Sequence, residues 1–114
     1  MSLEWISLTA INQIEDMLYH SHREAVFVFK HSTTCGISAM ALEHLELASK
    51  DTRIPFRLYY LDLLAHRDIS QEIARKLEVQ HQSPQIIHLK GGKVVFHTSH
   101  HRIGPTIIQD CLDR

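Results

Sequence analysis

The sequence predicts an α/β domain built on a central mixed β-sheet of four strands, five if a short N-terminal segment adds an edge, with helices flanking the sheet. Ala25-Val26-Phe27-Val28-Phe29 is a continuous β-branched and aromatic run, too short for a helix and suited to a central strand buried on both faces. Phe56 to Asp62 reads as a second buried strand, and the stretch between the two has apolar residues at helical spacing, the pattern of a parallel βαβ unit. Farther along, Lys90-Gly91-Gly92-Lys93 separates two more apolar runs, and its glycines suit the positive φ angles of a tight antiparallel hairpin.

Taken in order, Trp5-Ile6-Ser7 is long enough only for a short edge strand. Thr9 can cap a first helix whose apolar positions Ile11, Ile14, Met17 and Leu18 recur at helical spacing, with Glu15 and Asp16 on the other side. After the Ala25–Phe29 strand, Ile37, Met40, Ala41, Leu45 and Ala48 form the stripe of a second helix that should end near Lys50, before Pro55. Asp68 or Ser70 can start a third helix through Ile73, Ala74 and Leu77. Gln85–Leu89 and Val94–His97 flank the hairpin turn, and a last helix runs from about Gly104 or Pro105 to Leu112, with Ile107, Ile108, Cys111 and Leu112 inward. The order α-β-α-β-α-β-β-α, a parallel βαβ unit followed by ββα, resembles the thioredoxin-like fold once crossovers are right-handed and the hairpin is short. With no repeat, linker or low-complexity tract, residues 1–114 read as a single domain.

Composition narrows the function. At 114 residues and 44% hydrophobic content the chain can bury roughly two-thirds of its unfolded surface without disulfide staples or a structural metal. Twelve basic and thirteen acidic residues give a formal charge of -1, which argues against a nucleic-acid partner. No stretch approaches the roughly 18 uncharged apolar residues of a membrane span, and the N-terminus lacks a basic region followed by an apolar run, so no membrane partner and a cytoplasmic location are expected. Two cysteines do not make a secreted disulfide framework. Ten histidines are many for this length, but neither His20 with His22 nor His97 with His100 and His101 has the spacing and acidic partner of a zinc-protease site, so no metal is expected.

The chemistry-bearing stretch is Lys30-His31-Ser32-Thr33-Thr34-Cys35-Gly36-Ile37-Ser38, which sets Cys35 between the end of a strand and the start of a helix. Unpaired N–H groups of Gly36, Ile37 and Ser38 and the helix dipole favour a thiolate there, and Lys30 or His31 can add positive charge. Ser38 stands where a Cys-x-x-Cys motif has its resolving thiol; a hydroxyl can donate a hydrogen bond to a thiolate but cannot form a disulfide, so the mechanism should be monothiol. Cys111, on the apolar stripe of the last helix, reads as structural. Ser83-Pro84-Gln85 precedes a strand where thioredoxin-like folds turn with a cis-proline beside the reactive sulfur, leaving the Ser83 backbone free to pair with a substrate chain.

His31-Ser32-Thr33-Thr34-Cys35-Gly36-Ile37-Ser38, Val79-Gln80-His81-Gln82-Ser83-Pro84-Gln85 and His97-Thr98-Ser99-His100 together resemble the YtxJ-type monothiol bacilliredoxins over nearly the whole chain. The sequence departs from that pattern at Gly36, where proline is usual, and at His101, where an aromatic residue often follows the histidine. The resemblance implies removal of bacillithiol, a cysteine–glucosamine–malate thiol, from S-thiolated cytosolic client proteins. Cys35 would attack, Ser38 would steady its thiolate, and Thr34, Gly36, Ile37, Ser83, Pro84 and His100 would contact substrate. Bacillithiol serves as co-substrate, with no bound cofactor, and Lys30, His100, His101 and Arg102 are candidate cations for its malate carboxylates. A separate NADPH-dependent reductase would regenerate the low-molecular-weight thiol, because the chain lacks a dinucleotide-binding fingerprint.

Rival readings remain. Cys35-Gly36-Ile37-Ser38 also looks like the Cys-Gly-Phe-Ser motif of monothiol glutaredoxins, which carry a [2Fe–2S] cluster between subunits. The placement of Gly91-Gly92 in a hairpin, ahead of a strand instead of a helix, argues against that reading. An arsenate-reductase-like enzyme needs an arginine set that does not follow Cys35, and a non-catalytic thioredoxin-fold interaction module would leave Cys35 merely regulatory.

Overall fold

A computed structural model describes residues 5–48 and 54–113. Five strands form one mixed sheet in the order β1-β3-β2-β4-β5, where β1 is Trp5–Ser7, β2 Ala25–His31, β3 Phe56–Asp62, β4 Gln85–Lys90 and β5 Lys93–Ser99. β1 and β2 both run parallel to β3, while β4 is antiparallel to β2 and to β5. The N-terminal segment therefore does add a fifth strand at the edge.

Alternation along β2 divides the molecule into two layers. Val26 and Val28 face helices α1 (Gln13–His20) and α3 (Arg67–Lys76), packing with Ile14, Met17, Ile69 and Ile73. Phe27 and Phe29 face α2 (Gly36–Ala48) and α4 (Ile107–Leu112), packing with Ala41, Leu45, Ile107, Ile108 and Cys111. Both layers are continuous with the sheet, so the central strand has no solvent-facing side from Val26 to His31. No helix among the described residues is long and apolar enough to cross a membrane.

Several boundaries differ from those the sequence suggests, each for a local reason. Thr9 does not cap α1; the Gln13 side chain reaches back instead and accepts the Thr9 and Ala10 N–H groups at 2.7 and 2.9 Å. The helix consequently starts at Gln13, and Ile11 lies outside it, 47% exposed. On α2, Met40 is 52% exposed because Ala41 and Leu45 form the inward i, i+4 row, and Met40 lies about 100° around the helix from Ala41. The expected end of that helix near Lys50 falls outside the described residues. Neither Asp68 nor Ser70 starts α3, which begins at Arg67 after His66 with no side-chain cap; the turn ahead of it is held by Asp62, which accepts the Leu64 and Ala65 N–H groups at 3.1 and 3.4 Å. α4 begins at Ile107, two residues past Pro105.

The Gly91-Gly92 turn is as expected, with φ of 61° and 78°. A Cβ on Gly91 would meet nothing within 4 Å, whereas one on Gly92 would stand 3.0 Å from Nε2 of the exposed, movable His22 ring. Backbone strain thus dominates at both positions. Gly91→Ala and Gly92→Ala should each lower the unfolding free energy by about 1–2 kcal/mol in urea titrations, and equal midpoints for variants and wild type would refute this.

Candidate active site

The site is assembled where β2 ends. The chain leaves the sheet after His31, whose carbonyl accepts the Leu63 N–H at 2.9 Å, and turns so that the Cys35 N–H donates to the Ser32 carbonyl at 3.2 Å. Ala39 N–H then donates to the Cys35 carbonyl at 3.1 Å, starting the hydrogen-bond ladder of α2. The N–H groups of Gly36, Ile37 and Ser38 precede that ladder and lie at the positive end of the helix dipole, beside the cysteine. Cys35 is partly exposed and Cys111 is buried at 2%, and no disulfide joins them.

Ser38 is fully buried, and its partners differ from the one the sequence suggested. Its Oγ lies 2.7 Å from His31 Nδ1 and accepts the Ser32 N–H at 3.0 Å. The hydroxyl therefore stitches the first turn of α2 to both the strand end and the loop. An Oγ carries one proton and two lone pairs, and Ser32 occupies one lone pair. A bare His31 Nδ1 would take the proton, whereas a protonated one would fill the second lone pair and leave the Oγ–H for another acceptor. Burial pulls the His31 pKa below its ordinary value, with the Asp62 carboxylate and the Ser38 backbone opposing that shift. His31 is thus a buried, predominantly neutral strand-end residue near pH 7 instead of a source of positive charge.

Lys30 also departs from expectation. Its side chain points away from α2 into the α3 layer, where it is fully buried with Nζ 3.2 Å from His81 Nδ1 and 3.5 Å from the Ser70 carbonyl. Burial depresses its pKa from 10.5 to about 8. Enclosed in the core, it cannot meet the carboxylate of a thiol docking at the surface. Residue pattern alone does not reveal this, because the apolar run stops at Phe29 while the strand continues for two more residues.

The second half of the site comes from β4. Lys30 is paired with Gln85 across the antiparallel ladder, so Ser83 and Pro84, just before Gln85, stand at the end of β2 from which the cysteine loop departs. The Ser83-Pro84 bond is cis. Ser83 Oγ is buried and has no hydrogen-bond partner among the described residues. The Pro84 carbonyl accepts the His100 N–H at 3.0 Å, which places His100, in the left-handed region at φ 56°, next to the proline. His100, His101 and Arg102 form an exposed 3-10 turn. Thr34 and Gly36 are exposed and Ile37 is half-buried, and Gly36 has open space where a Cβ would stand. His44 of α2, which the sequence did not single out, holds this region from behind by donating from Nδ1 to the Ile103 carbonyl at 3.0 Å. Among the described residues no group of three or more His, Cys, Asp or Glu is placed to hold a metal ion.

A mixed sheet of this order with an isolated cysteine before α2 and a proline beginning the neighbouring antiparallel strand defines a thiol oxidoreductase of the thioredoxin fold. The family profile "Monothiol bacilliredoxin BrxC" matches residues 6–108, and the chain belongs to the monothiol bacilliredoxin family. A solved structure described as an oxidoreductase candidate with a thioredoxin fold is 35% identical, with 92% of this chain and 91% of that chain covered and a TM-score of 0.77. More distant thioredoxins share the fold. The protein from Trypanosoma brucei brucei is 16% identical, with 100% and 96% of the two chains covered and a TM-score of 0.74. The one from Schistosoma mansoni is 24% identical, with 96% of each chain covered and a TM-score of 0.67.

Two outcomes follow from the buried groups. Ser38→Ala leaves the Ser32 N–H and His31 Nδ1 without this partner and should cost about 1–3 kcal/mol of stability, read by chemical denaturation. For Lys30, the unfolded chain binds more protons than the folded one between pH 8 and 10.5, so raising the pH through that window stabilises the fold. The unfolding free energy of wild type relative to Lys30→Met should rise across this range; a flat difference would show that the amine is not desolvated.

Proposed function

We propose that this protein is a monothiol oxidoreductase that removes bacillithiol, or a similar low-molecular-weight thiol, from S-thiolated client proteins in the cytoplasm. The observation that carries this reading is the placement of the two cysteines. Cys35 is partly exposed beyond the His31 end of β2, whereas Cys111 is buried and lines a cavity of about 560 Å³ with Ser21, Ala25 and Gly91, at the strand's other end. The seven residues of β2 separate those ends by roughly 20 Å, far beyond the ~7 Å between Cα atoms that a disulfide tolerates.

With Ser38 in the resolving position, the thiolate of Cys35 attacks the thiol-derived sulfur of the mixed disulfide. A Cys35–thiol disulfide forms and the client leaves as thiolate. A second small thiol then attacks that adduct, releasing the symmetric disulfide and regenerating Cys35. A separate NADPH-dependent reductase returns the symmetric disulfide to thiol. Orphan N–H groups at the start of α2 favour the anionic sulfur, Ser38 holds that turn to His31 and Ser32, and Thr34, Gly36, Ile37, Ser83, Pro84 and His100 line the approach. The Ser83 backbone, just ahead of the cis Pro84 bond, suits a docking chain, and His100, His101 and Arg102 offer cationic or hydrogen-bonding groups to malate carboxylates.

Intact-mass analysis tests this directly. Wild type and Cys111→Ser incubated with a bacillithiolated protein should each gain one bacillithiol adduct, while Cys35→Ser gains none. An adduct on Cys111, or a disulfide between the two cysteines, would overturn the monothiol assignment, and faster transfer from a glutathionylated protein would replace bacillithiol as the co-substrate.

A further inference from the structure

A buried ammonium group without a carboxylate is costly, and Lys30 is one. Its side chain is fully buried, and no Asp or Glu among the described residues forms an ion pair with it. The acceptors offered to its three N–H bonds are His81 Nδ1 at 3.2 Å and the Ser70 carbonyl at 3.5 Å. An apolar side chain of similar length would fill the site without the desolvation cost, so the charge does not serve stability. What it supplies is a directional hold on His81.

His81 lies in the segment that leads from α3 into the Ser83-Pro84 turn. α3 ends through Glu78, at φ 53°, with Val79 N–H donating to the Ala74 carbonyl at 3.2 Å, and the next backbone-to-backbone bond in this direction is at Pro84. Between them the described hydrogen bonds run through side chains. Gln85 Nε2 donates to the Gln80 carbonyl at 3.0 Å, and its Oε1 accepts from Gln82 N–H at 3.4 Å. The remaining hold is at His81 Nδ1, approached by Lys30 and by Ser70 Oγ, each at 3.2 Å. A nitrogen that accepts from an ammonium must be unprotonated, and burial together with the Lys30 charge lowers the His81 pKa accordingly.

We propose that Lys30 is a positioning residue which, through His81, fixes segment 80–83 so that Ser83 and Pro84 are correctly presented to a docking client chain, without acting on the Cys35 sulfur. This rests on the proposed de-thiolation activity and names the part of the fold that sets recognition of the protein substrate. The hold comes from the opposite side of the sheet to the one that carries the cysteine helix. Recognition and sulfur reactivity are therefore separable by mutation.

The test compares wild type, Lys30→Met, His81→Ala and the double variant in three measurements at pH 7. For transfer from a bacillithiolated protein, kcat/KM should fall roughly tenfold in each single variant, mainly through KM, and no further in the double variant. The rate of Cys35 alkylation by iodoacetamide should stay within about twofold of wild type. Hydrogen exchange should quicken at the amides of residues 80–83, while the melting temperature of Lys30→Met stays equal to or above that of wild type. Unchanged exchange at 80–83, unchanged KM, or alkylation falling in step with transfer would each overturn the proposal. Should Lys30→Met fail to fold, His81→Ala, which alters a largely exposed side chain, decides the matter by the same readouts. A wild type inert toward every mixed disulfide would overturn the activity instead, and the exchange measurement would still decide whether Lys30 holds the segment.

Discussion

Strand β2 is enclosed on both faces yet ends in two consecutive polar residues, Lys30 and His31, and the site depends on how the fold satisfies them. Because side chains alternate, the two go to opposite layers. His31 meets Ser38 in the α2 layer, and Lys30 meets His81 and Ser70 in the α3 layer. The first contact fastens the cysteine-bearing helix to the strand, and the second fastens the segment ahead of Pro84. Consecutive residues of one strand thereby anchor both the cysteine-bearing helix and the segment ahead of Pro84, and the Lys30–Gln85 pairing fixes the register of β2 and β4.

This arrangement explains why much of the fold, and less of the site, was legible in the sequence. Apolar runs report burial, which is why the four long strands were readable, while the glycine pair marked the hairpin and the motifs around Cys35, Pro84 and His100 marked the family. Helix starts were not, because neither α1 nor α3 is capped by a side chain: Gln13 and Asp62 accept N–H groups of the turns that precede those helices, at Thr9 and Ala10 and at Leu64 and Ala65. Cys35, the Ser83-Pro84 turn and its neighbour His100 carry local motifs. Lys30 carries none, since a lysine after an apolar run ordinarily marks the edge of a core and not its interior; the contacts with Ser70 and His81, 40 and 51 residues away, reveal its place.

Ser38 illustrates the same limit at closer range. Spacing alone puts its hydroxyl one helical turn from Cys35, and that neighbourhood suggested a direct role at the sulfur. The hydroxyl is instead shared between Ser32 and His31, so any influence on the thiolate is coupled to which nitrogen of His31 holds the ring proton. The absent resolving thiol and the buried histidine are thus parts of one local design in which a hydroxyl links the reactive helix to the strand.

At the opposite end of the sheet, Ser21 uses each of its polar groups. Its N–H donates to the Met17 carbonyl, its hydroxyl donates to the Leu18 carbonyl and accepts from Gly92, and its own carbonyl accepts from Gly91. One small residue thereby measures the hairpin, 71 positions later in the chain, like a gauge block. Inserting a single residue into that loop would draw two amides off the gauge together, so loop length at this corner is dictated by the end of the first helix.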